Sequence, residues 1–190
     1  MLRKNTIRVT VFVLLIVSAA VLVRIGSHLP EDTGDDANTP YHILPPERQV
    51  ELPDFTLTPV RGRAFKLSAA VARGPVVLDF WATYCGPCRM ELPDLEAIRA
   101  RYVSRGVQFY AINASDSPET IRRYAAYARL SIPMLVDRRG AITTNLGLDG
   151  LPNTIIVDRR RKVVCHLLGY DERMNKHLPK ALDKILGGAI

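Results

Sequence analysis

The chain is 190 residues long, enough for one ordinary domain and an appendage, and its 47% hydrophobic content supplies a packed core. A formal net charge of +7 and a pI of about 9.6 invite a nucleic-acid or anionic-membrane partner. The basic residues are scattered, however, and the one dense run, Arg159-Arg160-Arg161-Lys162, lies between two apolar stretches and reads as a solvated hairpin turn, so no nucleic-acid module is expected.

At the N-terminus Arg3, Lys4 and Arg8 precede an apolar run from Val9 to Val23, broken only by Thr10 and Ser18, and Arg24 follows. Basic then apolar is the order of an export signal. The run is shorter than the ~20 residues of a spanning helix, although Ile7 and Ile25 extend it if Arg8 and Arg24 snorkel. Ser18-Ala19-Ala20 could serve as a cleavage site, but apolar residues continue past it, which favours an uncleaved anchor over residues 1–26. Positive charge ahead of the span places the N-terminus in the cytoplasm and the rest outside, on the periplasmic face of the inner membrane. No cysteine lies near this segment, which excludes a lipid attached through one. Residues 27–51, rich in acidic residues and proline, cannot bury a core and read as a flexible tether.

The folded region is expected over residues 52–190. Phe55-Thr56-Leu57-Thr58 and Ala64-Phe65-Lys66-Leu67 alternate around Arg61-Gly62-Arg63 and predict a β-hairpin. Pro75 to Trp81 is a buried strand. From Gly86 to about Tyr102, Met90, Leu92, Leu95, Ile98 and Tyr102 recur at helical spacing, with Pro93 kinking the helix without ending it. Gly106 stops that helix, and Val107 to Ile112 is the next strand. Ser117-Pro118-Glu119 then caps a helix marked by Ile121, Tyr124, Ala125, Ala128 and Leu130. A short strand from Ile132 to Val136 and a brief helix from Ala141 to Leu146 follow. Asn153 to Val157 and Lys162 to Leu168 pair antiparallel around the basic turn, and Leu178, Leu182, Ile185 and Leu186 make a closing helix. The alternation implies an α/β fold, a mixed sheet with helices on both faces.

The chemistry sits between the first buried strand and its helix, at Cys85-Gly86-Pro87-Cys88. Cysteines three apart meet in the first turn of a helix, within reach of a disulfide. Unpaired amides and the helix dipole favour a thiolate there, so Cys85 is expected to be the reactive sulfur. A zinc site would need four ligands, and the chain has one further cysteine and no HxxxH-type pair. A purely structural disulfide would close so short a loop that it constrains little. A strand-to-helix CxxC reads best as a thioredoxin-like dithiol.

Phe80-Trp81-Ala82-Thr83-Tyr84-Cys85-Gly86-Pro87-Cys88-Arg89-Met90-Glu91-Leu92-Pro93, with Gly150-Leu151-Pro152-Asn153-Thr154 and Gly169, resembles the thioredoxin superfamily. More narrowly it is similar to membrane-anchored thiol-disulfide reductases of the TlpA and ResA type, which include the cytochrome c maturation thioredoxins. The resemblance implies a thioredoxin-like fold with an N-terminal β-hairpin and an insertion from Pro118 to Leu146. It implies that Pro152 is a cis-proline beside the dithiol, that Leu151 pairs with substrate backbone, and that Trp81, Tyr84, Gly86 and Pro87 complete the substrate surface. Asp79 matches the buried aspartate of thioredoxin, and a charge in that apolar strand is costly unless protonated or paired. Glu91, one turn after Cys88, matches the active-site glutamate of the ResA-like group, which usually carries asparagine at the position of Asp79. Either carboxylate can serve in proton transfer, the alternative for Glu91 being a solvated helix position. Ala111 replaces the lysine that partners the aspartate in thioredoxin. Cys165 reads as a small buried hydrophobe, with His166 on the opposite face of its strand.

The implied reaction is attack of Cys85 thiolate on a disulfide of an exported protein, with Cys88 resolving the mixed disulfide. No cofactor beyond the Cys85-Cys88 pair is expected. Re-reduction implies a membrane donor of the CcdA or DsbD type, apocytochrome c is the leading substrate, and a monomer is expected. Two rivals stay open: a peroxiredoxin-like peroxidase, which wants Thr-x-x-Cys with a nearby arginine, and a metal-binding assembly chaperone using the two cysteines.

Overall fold

The computed structural model describes residues 41–188. Its centre is strand β4 (Val76–Trp81), buried at every position. Buried on both faces, the strand is apolar throughout apart from one aspartate. Val76, Leu78 and Phe80 point into one core cluster and Val77 and Trp81 into the other, so strand parity sets Asp79 on the Trp81 face.

Among the described residues the sheet has the order β1 (His42–Ile43), β8 (Val163–Leu168), β7 (Asn153–Val157), β4, β5 (Gln108–Asn113), β6 (Met134–Val136), β2 (Thr56–Pro59) and β3 (Phe65–Lys66). Strands β4, β5 (Gln108–Asn113) and β6 (Met134–Val136) run parallel. Antiparallel to them lie β7 (Asn153–Val157) beside β4, with β8 (Val163–Leu168) beyond it, and β2 (Thr56–Pro59) beside β6, with β3 (Phe65–Lys66) outermost. One face carries α2 (Gly86–Tyr102), α5 (Met174–Leu186) and Ile121 of α3 (Pro118–Tyr127); the other carries α1 (Leu67–Val71) and the residues after α4 (Ala141–Asn145). The mixed sheet with helices on both faces, the N-terminal hairpin and the helix-strand insertion are thus all present.

Local signals act as their chemistry dictates. The Ser117 hydroxyl accepts from the Thr120 amide at the start of α3. Helix α2 continues through Pro93 to Tyr102. Helix α3 stops short of Leu130, because Arg129 takes a positive φ of 54° and the Leu130 amide turns back to the Ala125 carbonyl. The basic run is a turn: Asp158 accepts from the amides of Arg160 and Lys162, both at 2.8 Å. Tyr102 ties α2 to α5, donating to Asp183 at 3.0 Å, and Asp183 also holds Arg105 at 2.6 Å.

The folded region begins earlier than Leu52, and residues 41–51 are not a tether. Strand β1 (His42–Ile43) pairs with β8, the Leu44 amide donates to the Val164 carbonyl at 2.9 Å, and Tyr41 and Leu44 are buried. A short alternating segment hidden among prolines covers what would be an open sheet edge. Residues 1–40, and with them the expected anchor and most of the expected tether, lie outside the described residues. Among the described residues no helix is long and apolar enough to cross a membrane.

The loops that lead into β4 and β5 touch through glycine. A Cβ at Gly74 would overlap the Gly106 carbonyl oxygen, while Gly106 itself turns at φ 86°. Gly74→Ala is expected to cost about 1–3 kcal/mol in urea unfolding, the usual penalty for forced overpacking. An unchanged midpoint would show that the two loops can part freely.

Candidate active site

Strand β4 ends at Trp81, and the chain crosses Ala82-Thr83-Tyr84 to reach α2. Asp116, just past β5, clamps that crossing: it accepts from the Thr83 amide and hydroxyl, both at 2.8 Å. Asp116 is itself held by the Asn113 side-chain amide at 2.8 Å, and Asn113 accepts from the amides of Ser115 and Asp116. Neither residue was an expected site residue. The signal for them is local, a fully buried asparagine at a strand end followed three residues later by aspartate, an Asx-turn pattern.

Cys85 is the N-cap of α2, and its sulfur accepts from the Cys88 amide at 3.1 Å. The two cysteines are joined as a disulfide across 5.3 Å between Cα atoms. Cys85 keeps 8% of its surface exposed and Cys88 only 1%, so an incoming group meets Cys85 first. The outer sulfur also sits where the helix presents its unpaired amides.

Two carboxyls lie buried on the same side of the sheet. Asp79 and Glu91 are each 1% exposed, and Thr154 stands between them, its hydroxyl donating to Glu91 Oε1 at 2.9 Å and lying 3.4 Å from Asp79 Oδ1. The register pairs Asp79 with Thr154 across β4 and β7, so the contact is built into the sheet. A hydroxyl has one hydrogen and cannot donate to both acids, so a second link requires a proton on a carboxyl. Burial raises the pKa of both, and for Glu91 the nearby Asp79 charge raises it further. The β5 residue beside Asp79 is Ala111, which supplies no charge to offset this. Asp79 Oδ2 and Glu91 Oε2 are buried without hydrogen-bond partners. Glu91 is therefore not a solvated helix residue. Tyr41 also lies in this core with an unpartnered hydroxyl, its pKa raised chiefly by burial and next by Glu91.

The remaining expected site residues divide. Leu151-Pro152 is a cis peptide, and because Phe80 pairs with Asn153 it lies at the end of the sheet where β4 runs out toward Cys85. The Pro152 carbonyl accepts from the Gly169 amide at 2.9 Å. Tyr84 is 74% exposed, Pro87 is exposed, and Gly86 and Leu151 are half-buried. Trp81 does not belong on the substrate surface. It is fully buried, with its ring 5.2 Å from that of Tyr124, because strand parity turns it into the core beneath the motif. Cys165 is buried and its thiol is pushed up to about 12 by burial, which disfavours the reactive thiolate. His166 faces away and meets Asn153 at 3.0 Å. Among the described residues no group of three or more His, Cys, Asp or Glu side chains is placed to hold a metal ion.

Residues 49–166 match the AhpC/TSA family. The thiol-disulfide oxidoreductase ResA of Halalkalibacterium halodurans is 32% identical over 122 residues, 64% of this chain and 69% of that protein. A Chlorobium tepidum chain assigned as thiol:disulfide interchange protein DsbE superposes with a TM-score of 0.68 at 29% identity, covering 73% of this chain and 97% of its own. The peroxidoxin BcpB of Mycobacterium tuberculosis shares the fold at a TM-score of 0.62 and 25% identity, over 74% of this chain and 96% of its own. Here the buried Ala82, not a threonine, stands three residues before Cys85, and the sulfur is already paired within the CxxC. The chain belongs to the AhpC/TSA family and is an oxidoreductase of the thiol-disulfide exchange class.

Proposed function

We propose that the chain is a membrane-tethered reductant that works outside the cytoplasm on disulfides of exported proteins. The observation that carries the chemistry is the Cys85-Cys88 bridge at the N-terminus of α2, outer sulfur accessible and inner sulfur buried. The basic-then-apolar segment ahead of residue 27 supports the tether.

In the reduced state Cys85 thiolate attacks a substrate disulfide and displaces one substrate thiolate, forming a mixed disulfide. Cys88 loses its proton to the carboxyl pair, attacks Cys85 and releases the second substrate thiolate. The substrate leaves with both thiols and the chain keeps the disulfide. Cys85 and Cys88 are the catalytic pair, Glu91 and Asp79 the proton acceptors, and Tyr84, Gly86, Pro87, Leu151 and Pro152 the surface that receives the peptide. The dithiol is the only redox centre used. A membrane thiol relay of the CcdA or DsbD type would restore it, and apocytochrome c is the substrate class we place first.

Cys88→Ser should trap substrates on Cys85 as mixed disulfides in vivo, and these should be exported proteins that dithiothreitol releases. Recovery of no such adduct, or of cytosolic proteins alone, would falsify this reading.

An acid whose pKa is raised by folding stabilises the protein fully below the unfolded value, near 4, and that contribution is lost as pH rises through the folded value. Wild-type stability should therefore decline above pH 4 into the alkaline range, whereas Glu91→Gln should flatten the slope and gain about 1–3 kcal/mol at pH 9, the cost of an unsatisfied buried group. The same variant should slow resolution of the mixed disulfide at neutral pH by about tenfold, with Asp79 remaining as base. Parallel stability profiles in urea would place the shared proton elsewhere.

A further inference from the structure

Helices α2 and α3 enclose a groove of about 560 Å³ that starts at the dithiol: Gly86 and Pro87 form one end, and Met90, Pro93, Tyr124 and Tyr127 its walls. Its walls are apolar, yet Met90 is 58% exposed and Tyr127 is 87% exposed. The helical spacing in the sequence counts Met90 among core positions; in the fold it faces water instead. Large apolar side chains left open in a row beside a reactive centre mark a contact surface. We propose that this groove seats the chain flanking the attacked cysteine of a polypeptide substrate, and that it selects an extended segment carrying an apolar side chain next to an acidic one.

Three observations fix that occupant. Continuity comes first, since the groove begins on Gly86 and Pro87, the two residues between Cys85 and Cys88, directly beside the sulfur to which a substrate is joined. Charge comes second: Arg89 is the one ionised residue lining the groove, and Arg122 and Arg123 are exposed on α3. Backbone chemistry comes third. Pro93 has no N–H to give the Arg89 carbonyl one turn earlier, and both residues line the groove, so one helical hydrogen bond is missing on the wall that a peptide would meet. Behind the groove Tyr124 lies against Trp81, the sole tryptophan of the chain.

This inference rests on the exchange chemistry above, and the test separates the two. The full chain is reduced in detergent, freed of reductant, and mixed with three disulfides while Trp81 fluorescence follows its oxidation. The disulfides are oxidised glutathione and two peptides cyclised through one disulfide, identical except that Phe-Glu or Ser-Lys follows the same cysteine. Wild type should react about tenfold faster with the Phe-Glu peptide, the discrimination that one apolar side chain in a pocket provides. The ratio between the peptides should fall toward one in Met90→Ser/Tyr127→Ser, two exposed positions where folding is not at stake, and severalfold in Arg89→Gln. Equal rates for the two peptides in wild type, or a ratio that survives the double variant, would overturn the groove while leaving exchange intact. Failure of wild type to react with any of the three disulfides would remove the exchange reading and the groove with it. A ratio that rises when Glu31, Asp32, Asp35 and Asp36 are neutralised would seat the chain's own acidic stretch there instead. A dimer in sedimentation that the double variant dissociates would seat a second copy, and either result overturns the proposal.

Discussion

Everything at the site depends on one strand being buried on both faces. Because β4 has no solvent face, its alternating side chains must fill two cores at once, and only the ends of the strand are free to change. At its carboxyl end the chain leaves the sheet and turns at once into α2, so the first turn of that helix meets solvent with Cys85 as its cap. The accessible sulfur, the positive end of the helix and the hidden second sulfur are consequences of that single exit. The Asp116 clamp holds Thr83 of that exit through two hydrogen bonds, borrowing a residue from the loop after the neighbouring parallel strand.

The same burial makes the carboxyl pair expensive. Two acids that share one threonine hydroxyl, with an oxygen each left unpaired, are a poor way to stabilise a core. In the proposed reaction they would serve Cys88 as proton acceptors, a role that rewards a raised proton affinity. In thioredoxin-like chains that carry a lysine beside the aspartate, charge offsets part of this cost; Ala111 provides none, and the Asp79 charge raises the proton affinity of Glu91 further. The site thus trades stability for proton affinity.

Most of the fold is legible in the sequence because its signals are local or periodic: the buried run of β4, the capped start of α3, the hairpin around the basic turn. The dithiol and its cis-proline partner are legible for a different reason, since a motif spanning three regions survives where any one of them would not. What escapes the sequence depends on long-range packing. Strand β1 is only two residues long and hides among prolines, and no local rule shows that it will find the edge of β8. Met90 fits the apolar period of α2 yet faces out, since the period is set by the residues that touch the sheet and α3 stands off to leave a gap. The motif places Trp81 on the substrate surface, whereas the parity of β4 turns it inward.

The placement of β1 has one more effect. Ile43 pairs with Cys165 and helps close the edge of β8, leaving that third thiol fully buried. In a protein that forms mixed disulfides, a stray surface thiol would be a dead end, able to take a substrate from Cys85 with no neighbour to release it. Shielding Cys165 leaves Cys85, with Cys88 behind it, as the thiol that substrate meets, so electrons leave the chain in pairs and each encounter ends with substrate and enzyme apart.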